Sequence, residues 1–213
     1  MAILKVAQMG HPILRARARA VTPAELATPD FKRFLADLVE TMREYEGVGL
    51  AAPQVHRGVR VAVIEAYRNA RYPDAPDVPL RILVNPRVTP LTETRIEWWE
   101  GCLSIPGLRG LVRRPRKVRV EALDGTGTPR VFTAEDFLAV VVQHETDHLD
   151  GRLFLDRMDD LSELSFQKEY ERHHLAHESN AREPGRPSRR GRAGRGARSR
   201  SRRPTTFTAE VTP

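Results

Sequence analysis

The chain has 213 residues, 40% of them hydrophobic, with a formal net charge of +7 and one cysteine. This composition supplies a core for one domain of ordinary size plus an extra segment. It excludes an internal disulfide, because Cys102 is alone, and it excludes a membrane-spanning helix, because no apolar run nears the ~18–20 residues that a span needs.

The opening MAILKVAQMGHPIL has neither the apolar region and small-residue cleavage site of a secretory signal nor the Arg- and Ser-rich look of a transit peptide. The expected location is the cytoplasm. The first predicted elements are helical. Thr22, Pro23 and Glu25 follow the order of an N-cap, an N1 proline and a capping-box glutamate. Asp30 is placed to cap a longer helix, in which Phe31, Phe34, Leu35, Leu38, Val39, Met42 and Tyr45 keep a 3.6-residue period; Gly47 is its expected stop. Five β-like runs follow, at 60–66, 81–88, 94–99, 117–123 and 129–134, separated by turn signals such as Asp124-Gly125. The stretch 67–79, YRNARYPDAPDVP, reads as a surface loop.

A second long helix is predicted to start at the capping-box pair Thr133 and Asp136 and to close at Gly151. Phe137, Val140, Val141, His144 and His148 lie on one of its faces, so two histidines extend a stripe that would otherwise be core. A third helix is predicted over 160–178. From residue 181 the composition turns to Arg, Gly, Ser and Pro. Residues 182–213 hold ten arginines against Glu183 and Glu210, a net +8, which leaves 25 basic (35 − 10) and 26 acidic (28 − 2) residues elsewhere. Such a segment cannot bury enough surface to offset its chain entropy. The expected organisation is a catalytic domain over 1–180 and a disordered basic tail over 181–213. The fold class is α+β: mixed, mainly antiparallel strands around a central helix that carries the two histidines, with a C-terminal helix.

The chemistry is announced by QHETDHLDG, Gln143 to Gly151, which contains H-E-x-x-H. Residues four apart on a helix lie on one face, about 5–6 Å apart at Cβ, so both imidazoles reach a single ion. Glu145 points to the edge of such a site and is suited to handling a proton. Three routes to a third ligand can be weighed. A third histidine in the H-x-x-G-x-x-H continuation fails, because Phe154 stands there. A downstream glutamate, Glu163 or Glu169, would make a protease-like site. Cys102, upstream in EGCLSIPG, would make a Cys-His-His set with a fourth position open.

Three separated motifs, GVGLAAPQ (Gly47–Gln54), EGCLS (Glu100–Ser104) and QHETDHLDG, occur in the order and at the separations of the peptide deformylase family, which this sequence closely resembles from HPILR (His11–Arg15) to about Asp160. The resemblance implies removal of the N-terminal formyl group from formylmethionyl peptides. It implies Cys102, His144 and His148 as metal ligands and Glu145 as general acid/base. The backbone N–H of Leu103 and the amide of Gln54 would face the formyl oxygen. Val48, Gly49, Trp98, Glu100, Phe137, Val140 and Val141 would receive the substrate, with Arg114 pairing to Glu100. One divalent ion is implied, Fe2+ in most of the family, with Zn2+, Ni2+ or Co2+ able to fill the same donors.

Two positions depart from the family pattern. His56 stands where a glycine is common, and Trp98 replaces an aliphatic residue, which changes the size of the methionine pocket. The expected partners are N-formylmethionyl peptides and, through the basic tail, ribosomal RNA. No membrane contact is expected, and the chain is read as a monomer. A metalloprotease using Glu169, and an RNA-binding relic of a metal site, are the competing readings.

Overall fold

The computed structural model describes residues 2–67 and 76–175. Its N-terminal part is helical. Helix α1 (Pro23–Ala27) begins as its sequence predicts, with Thr22 Oγ1 accepting from Glu25 N at 3.2 Å. Helix α2 (Pro29–Glu44) is capped by Thr28, whose hydroxyl accepts from Phe31 N, and not by Asp30, which sits inside the first turn. Pro29 decides this, because its fixed φ suits the first helical position and leaves the residue before it as the cap.

The apolar stripe of α2 is buried as the 3.6-residue period requires, except for Tyr45, which lies past the end of the helix and is 41% exposed. Burying each of Phe31, Phe34, Leu35, Leu38 and Met42 contributes roughly 1.5–3 kcal/mol. The left-handed residue that ends α2 is Glu46 (φ 52), and not Gly47; Gly47 N then bonds back to Met42 O.

Eight strands form two antiparallel sheets. The larger sheet joins β1 (Gly49–Ala51), β2 (Val61–Ala66), β3 (Val78–Pro90), β6 (Lys117–Leu123) and β7 (Pro129–Glu135), in the order β1-β2-β3-β6-β7. The smaller joins β4 (Arg95–Cys102), β5 (Ile105–Pro115) and β8 (Leu164–Phe166), in the order β4-β5-β8. All pairings between these strands are antiparallel; the parallel element among the described residues is an isolated bridge between Arg19 and Val59. The fold is α+β. Strands β2, β3, β4, β6 and β7 cover the five predicted runs. Strand β5 was not anticipated by the sequence pattern, since Pro106, Gly107 and Gly110 interrupt it.

Helix α3 (Asp136–Leu149) carries His144 to His148 and packs against β1, β2, β3 and β7 of the larger sheet and β5 of the smaller. It does not begin with the expected capping box. Thr133 is in β7, and Glu135 precedes the helix with no side-chain cap. Asp136 adopts a left-handed φ of 49°, which turns the strand into the helix within one residue, a conformation Asp tolerates better than most.

The predicted third helix is also corrected. Residues 161–163 form a 3-10 turn and 164–166 pair with β5 as β8; only then do α4 (Gln167–Tyr170) and a π turn over Glu171–Leu175 follow. Leu161 and Leu164 have helical spacing, but pairing of 164–166 with Leu108–Gly110 overrides that local signal. The predicted tail over 181–213, and most of the loop predicted at 67–79, lie outside the described residues. Among the described residues no helix is long and apolar enough to cross a membrane.

Gly151 stops α3 with φ 72, and a Cβ there would meet the backbone carbonyl of Arg15 at 2.5 Å. A left-handed L-residue costs roughly 1–2 kcal/mol before any clash. Gly151→Ala should therefore lower stability by at least about that amount, read as a drop in the urea midpoint at unchanged m-value; an unchanged midpoint would contradict this role.

Candidate active site

Strands β4 and β5 meet in a tight turn at Leu103–Ser104, with Cys102 paired to Ile105. The register slips between Glu100 and Cys102, so Gly101 forms an irregularity that re-aims the cysteine. Gly101 makes room for Arg109, since a Cβ there would lie 3.0 Å from the guanidinium carbon and that side chain would have to give way. The hairpin is anchored from outside the sheet by Met9 N, which donates to Ser104 O at 2.8 Å.

Helix α3 faces this hairpin with His144 and His148. Cys102 Sγ and one ring nitrogen from each histidine lie within 4.8 Å of one another, and all three residues are buried. Sγ is 3.2 Å from His148 Nε2. On the far side of the thiol, Gln54 Nε2 approaches Sγ to 3.4 Å and Ser104 Oγ to 3.2 Å. The direction of that amide is fixed, since Ala51 N donates to Gln54 Oε1 at 2.8 Å. Gln54 sits in a 3-10 turn, Ala52–Val55, immediately after β1.

The donors suit a cation. Burial opposes charge on both imidazoles. At His148 it prevails, with the charges of His144 and Arg114 adding to it, and the ring is held neutral, the form that ligates. At His144 burial is overcome by Cys102 and Glu100, which hold the ring well above its usual range. The thiol and the carboxylate thus call for positive charge at this point, and a thiolate with two imidazoles is a donor set for Zn2+ or Fe2+. His148 Nδ1 and Glu145 Oε2 are buried and have no hydrogen-bond partner among the described residues.

Glu145 lies beside the three donors. Burial pushes its carboxyl up to about 7, with Glu100 adding and His144 and Arg114 opposing. Strand β1 presses against it, since a Cβ on Gly49 would come within 2.8 Å of Glu145 Cγ. One cleft of about 470 Å3 gathers Val48, Gly49, Gln54, Trp98, Glu100, Cys102, Leu103, Phe137, Val140, Val141, His144 and Glu145. His148 lies behind it, 1% exposed. Trp98 and Trp99 take opposite faces of β4. Trp98 lines the cleft against Phe137, with ring centroids 5.5 Å apart, while Trp99 packs on Tyr170 and His174. His56 is exposed and left-handed (φ 63), with its ring against His11.

Glu163 pairs with Arg113, and Glu169 with Arg172 and His173 at 3.3 Å; neither lines the cleft, so the downstream-glutamate route finds no support in the geometry. Phe154, at the rejected third-histidine position, is buried and stacks on His144. Sequence reasoning passed over two groups. Asp147 lies inside the H-E-x-x-H motif, where its 5% exposure makes it a buried charge in need of a partner. Arg109 is 1% exposed, donates to Gln167 Oε1 at 2.7 Å and roofs Gly101.

A buried guanidinium ties the two halves together. Arg114 Nη2 donates to Glu100 Oε2 at 2.9 Å and Nη1 donates to Asp147 Oδ2 at 2.8 Å. Burial alone would raise Glu100, yet Arg114, with help from His144, holds it at about 2. A helix bearing H-E-x-x-H beside a buried thiol, with an acid near neutrality and an amide aimed at the thiol, defines the class as metal-dependent hydrolases.

The sequence model of polypeptide deformylases matches residues 3–163. Peptide deformylase of Leptospira biflexa is 45% identical over 159 residues, covering 74% of this chain and 89% of that protein. Peptide deformylase 1 of Bordetella pertussis is 46% identical over 166 residues, 78% of this chain and 91% of its own. Among solved structures, a class I type b peptide deformylase from Acinetobacter baumannii superposes with TM-score 0.72 at 38% identity, over 75% of this chain and 100% of that one. The same enzyme has been solved with Met-Ala-Ser bound. The chain belongs to the polypeptide deformylase family and is by that membership an enzyme, a peptide deformylase.

Removing one partner of a buried ion pair costs about 3–5 kcal/mol, so Arg114→Met should lower stability by that order. In the native chain Glu100 is depressed; its contribution is complete above the unfolded pKa and is lost as pH falls toward about 2. Without Arg114, burial would raise Glu100 instead, and protonation would relieve the strain. Urea unfolding of both proteins, metal-free, should show a deficit that is smaller at pH 5 than at pH 7. A deficit that grows on acidification would refute this account of the pair.

Proposed function

We propose that this chain hydrolyses the N-terminal formamide of formylmethionyl nascent peptides, releasing formate. The observation that carries this reading is the convergence of Cys102, His144 and His148 within 4.8 Å, in a cleft that also holds Glu145 and Gln54. Those three residues would hold one divalent ion, with Fe2+ proposed and Zn2+, Ni2+ or Co2+ as substitutes. When bound, such an ion supplies Lewis acidity that makes water nucleophilic near neutral pH.

The remaining steps belong to the protein's own groups. Glu145, whose carboxyl titrates near 7 in the metal-free site and lower beside a cation, takes a proton from the attacking water. The water oxygen bonds to the formyl carbon, and the charge that develops on the formyl oxygen is met by the Leu103 N–H and the Gln54 amide. Glu145 then delivers its proton to the peptide nitrogen as the C–N bond breaks, acting as base and then as acid. Formate and a free amino terminus result.

The substrate would lie extended between β1 and β4, which form edges of their two sheets and flank the cleft at Gly47–Gly49 and Trp98–Leu103. An edge offers unpaired backbone groups to a peptide, and alternate side chains then enter pockets. The methionine side chain would enter among Val48, Trp98, Phe137, Val140 and Val141. Met-Ala-Ser on the Acinetobacter relative is a peptide of the kind this reaction would leave behind. The enzyme would act as a monomer in the cytoplasm. The ten arginines of 182–213 would add salt-sensitive affinity for ribosomal RNA.

Anaerobically purified protein with its metal quantified should release formate from formyl-Met-Ala-Ser. Glu145→Gln should keep the metal and lower kcat by ~10²–10⁴-fold, the usual contribution of a general acid–base group. Cys102→Ala should lose both metal and activity; metal retained in that variant would mean the ligand set is wrong. Deleting 182–213 should leave formate release intact and reduce co-sedimentation with ribosomes at low salt. Unchanged sedimentation would remove the RNA assignment.

A further inference from the structure

Five side chains form one line from the surface to a histidine of the site. Arg157, 39% exposed, clasps Asp147 through Nη2 on Oδ1 at 2.5 Å and Nε on Oδ2 at 3.1 Å. Asp147 Oδ2 also accepts from Arg114 Nη1 at 2.8 Å, and Arg114 Nη2 donates to Glu100 Oε2 at 2.9 Å. That same oxygen lies 2.7 Å from His144 Nδ1. Inward of Arg157, every member is buried.

The charges alternate along the line and, with His144 in the neutral form that ligates, the four ionic members are neutral together only when Arg157 is included. Without it, two buried carboxylates would compete for one guanidinium. An uncompensated buried charge is expensive, so the pair that remained would rearrange. Arg114 would shift toward Asp147, and Glu100 would lose the partner that fixes its carboxylate plane under His144.

We infer that Arg157 is a positioning residue for the metal site. Acting through Asp147, Arg114 and Glu100, it sets the orientation of the His144 ring and keeps its other nitrogen aimed at Cys102 and His148. This rests on the proposed reading of Cys102, His144 and His148 as the metal ligands.

Local structure supports the assignment. Arg157 closes the 3-10 turn Phe154–Arg157, and Phe154 of that turn stacks on the His144 ring at an interplanar angle of 20°. The turn therefore delivers a packing surface and the end of an ionic relay to the same imidazole. Asp147 lies three residues after His144 and next to His148 on α3, so the helix backbone transmits its position to both. Arg157, Asp147 and Arg114 also line a polar cleft apart from the substrate cleft, which gives the outer end of the relay its own contact with solvent.

The test is Co2+ affinity, measured on the full chain by titration against a competing chelator. Partners behind a ligating histidine typically contribute 10–100-fold to metal affinity. Arg157→Met should weaken Co2+ binding by about tenfold, the low end of that range, because it acts through three intermediaries. Arg157→Lys should restore part of the loss. Arg116→Met removes an exposed ion pair to Asp136 in the first turn of the same helix and should bind Co2+ like the parent. Urea unfolding of the metal-free proteins would register any general loss of stability separately. Parental Co2+ affinity in Arg157→Met, or an equal loss in Arg116→Met, would overturn the inference. If the parent chain itself failed to bind Co2+, the metal reading of the site would fall first and take the inference with it.

Discussion

A thiol on a hairpin and two imidazoles on a helix cannot stay within ligating distance unless the hairpin and the helix are fixed to one another, and Arg114 makes that fixture. It rises from β5, holds Glu100 of β4 and reaches Asp147 of α3. Burying three charges carries a desolvation penalty that an apolar cluster would avoid, and for stability alone such a cluster would serve as well. An apolar cluster has no direction, however. A planar guanidinium between two carboxylates admits little rotation, and it transmits that restriction to His144 through Glu100.

The same low-dielectric interior sets the character of the acids in the cleft. Glu145 is near neutrality because it is buried with an unpartnered oxygen, whereas Glu100, equally buried, stays ionised because a guanidinium faces it. Two glutamates within one cleft thus have opposite proton affinities, and partner geometry, not burial, separates them. The backbone contributes by absence of side chains. Gly49 lets β1 lie against Glu145, and Gly101 lets the Cys102 hairpin lie against Arg109.

Much of the site could be read from the sequence because its parts sit in short contiguous motifs. QHETDHLDG spans the last two turns of α3 and its stop, EGCLS the end of β4 and the turn into β5, and GVGLAAPQ strand β1 with the 3-10 turn after it, so local spacing carries the geometry. Asp147 and Arg109 were not read that way, since their roles depend on partners at positions 114 and 167 that no local pattern links. The fold shows the same division. The periodic stripe of α2 and the alternating runs of β2, β3, β6 and β7 declare themselves. Strand β5 does not, because its glycines and its paired arginines hide the alternation. Residues 164–166 look helical in isolation and become a strand only because an edge of β5 is available.

That last strand bears on where the folding unit ends. The match to the family model closes at residue 163, although pairwise likeness to single relatives runs past it, over 166 residues for the Bordetella protein. The residues that seat the guanidinium of Arg109 come after residue 163: Gln167 Oε1 accepts from Arg109 Nε, the Tyr170 ring lies under its plane, and Trp99 of β4 packs on Tyr170. The family model and the folding unit therefore have different boundaries in this molecule. A chain cut where that model stops would leave a buried cation without its seat directly above Gly101, one residue from the thiol. The segment 164–175 is thus part of the enzyme's scaffold.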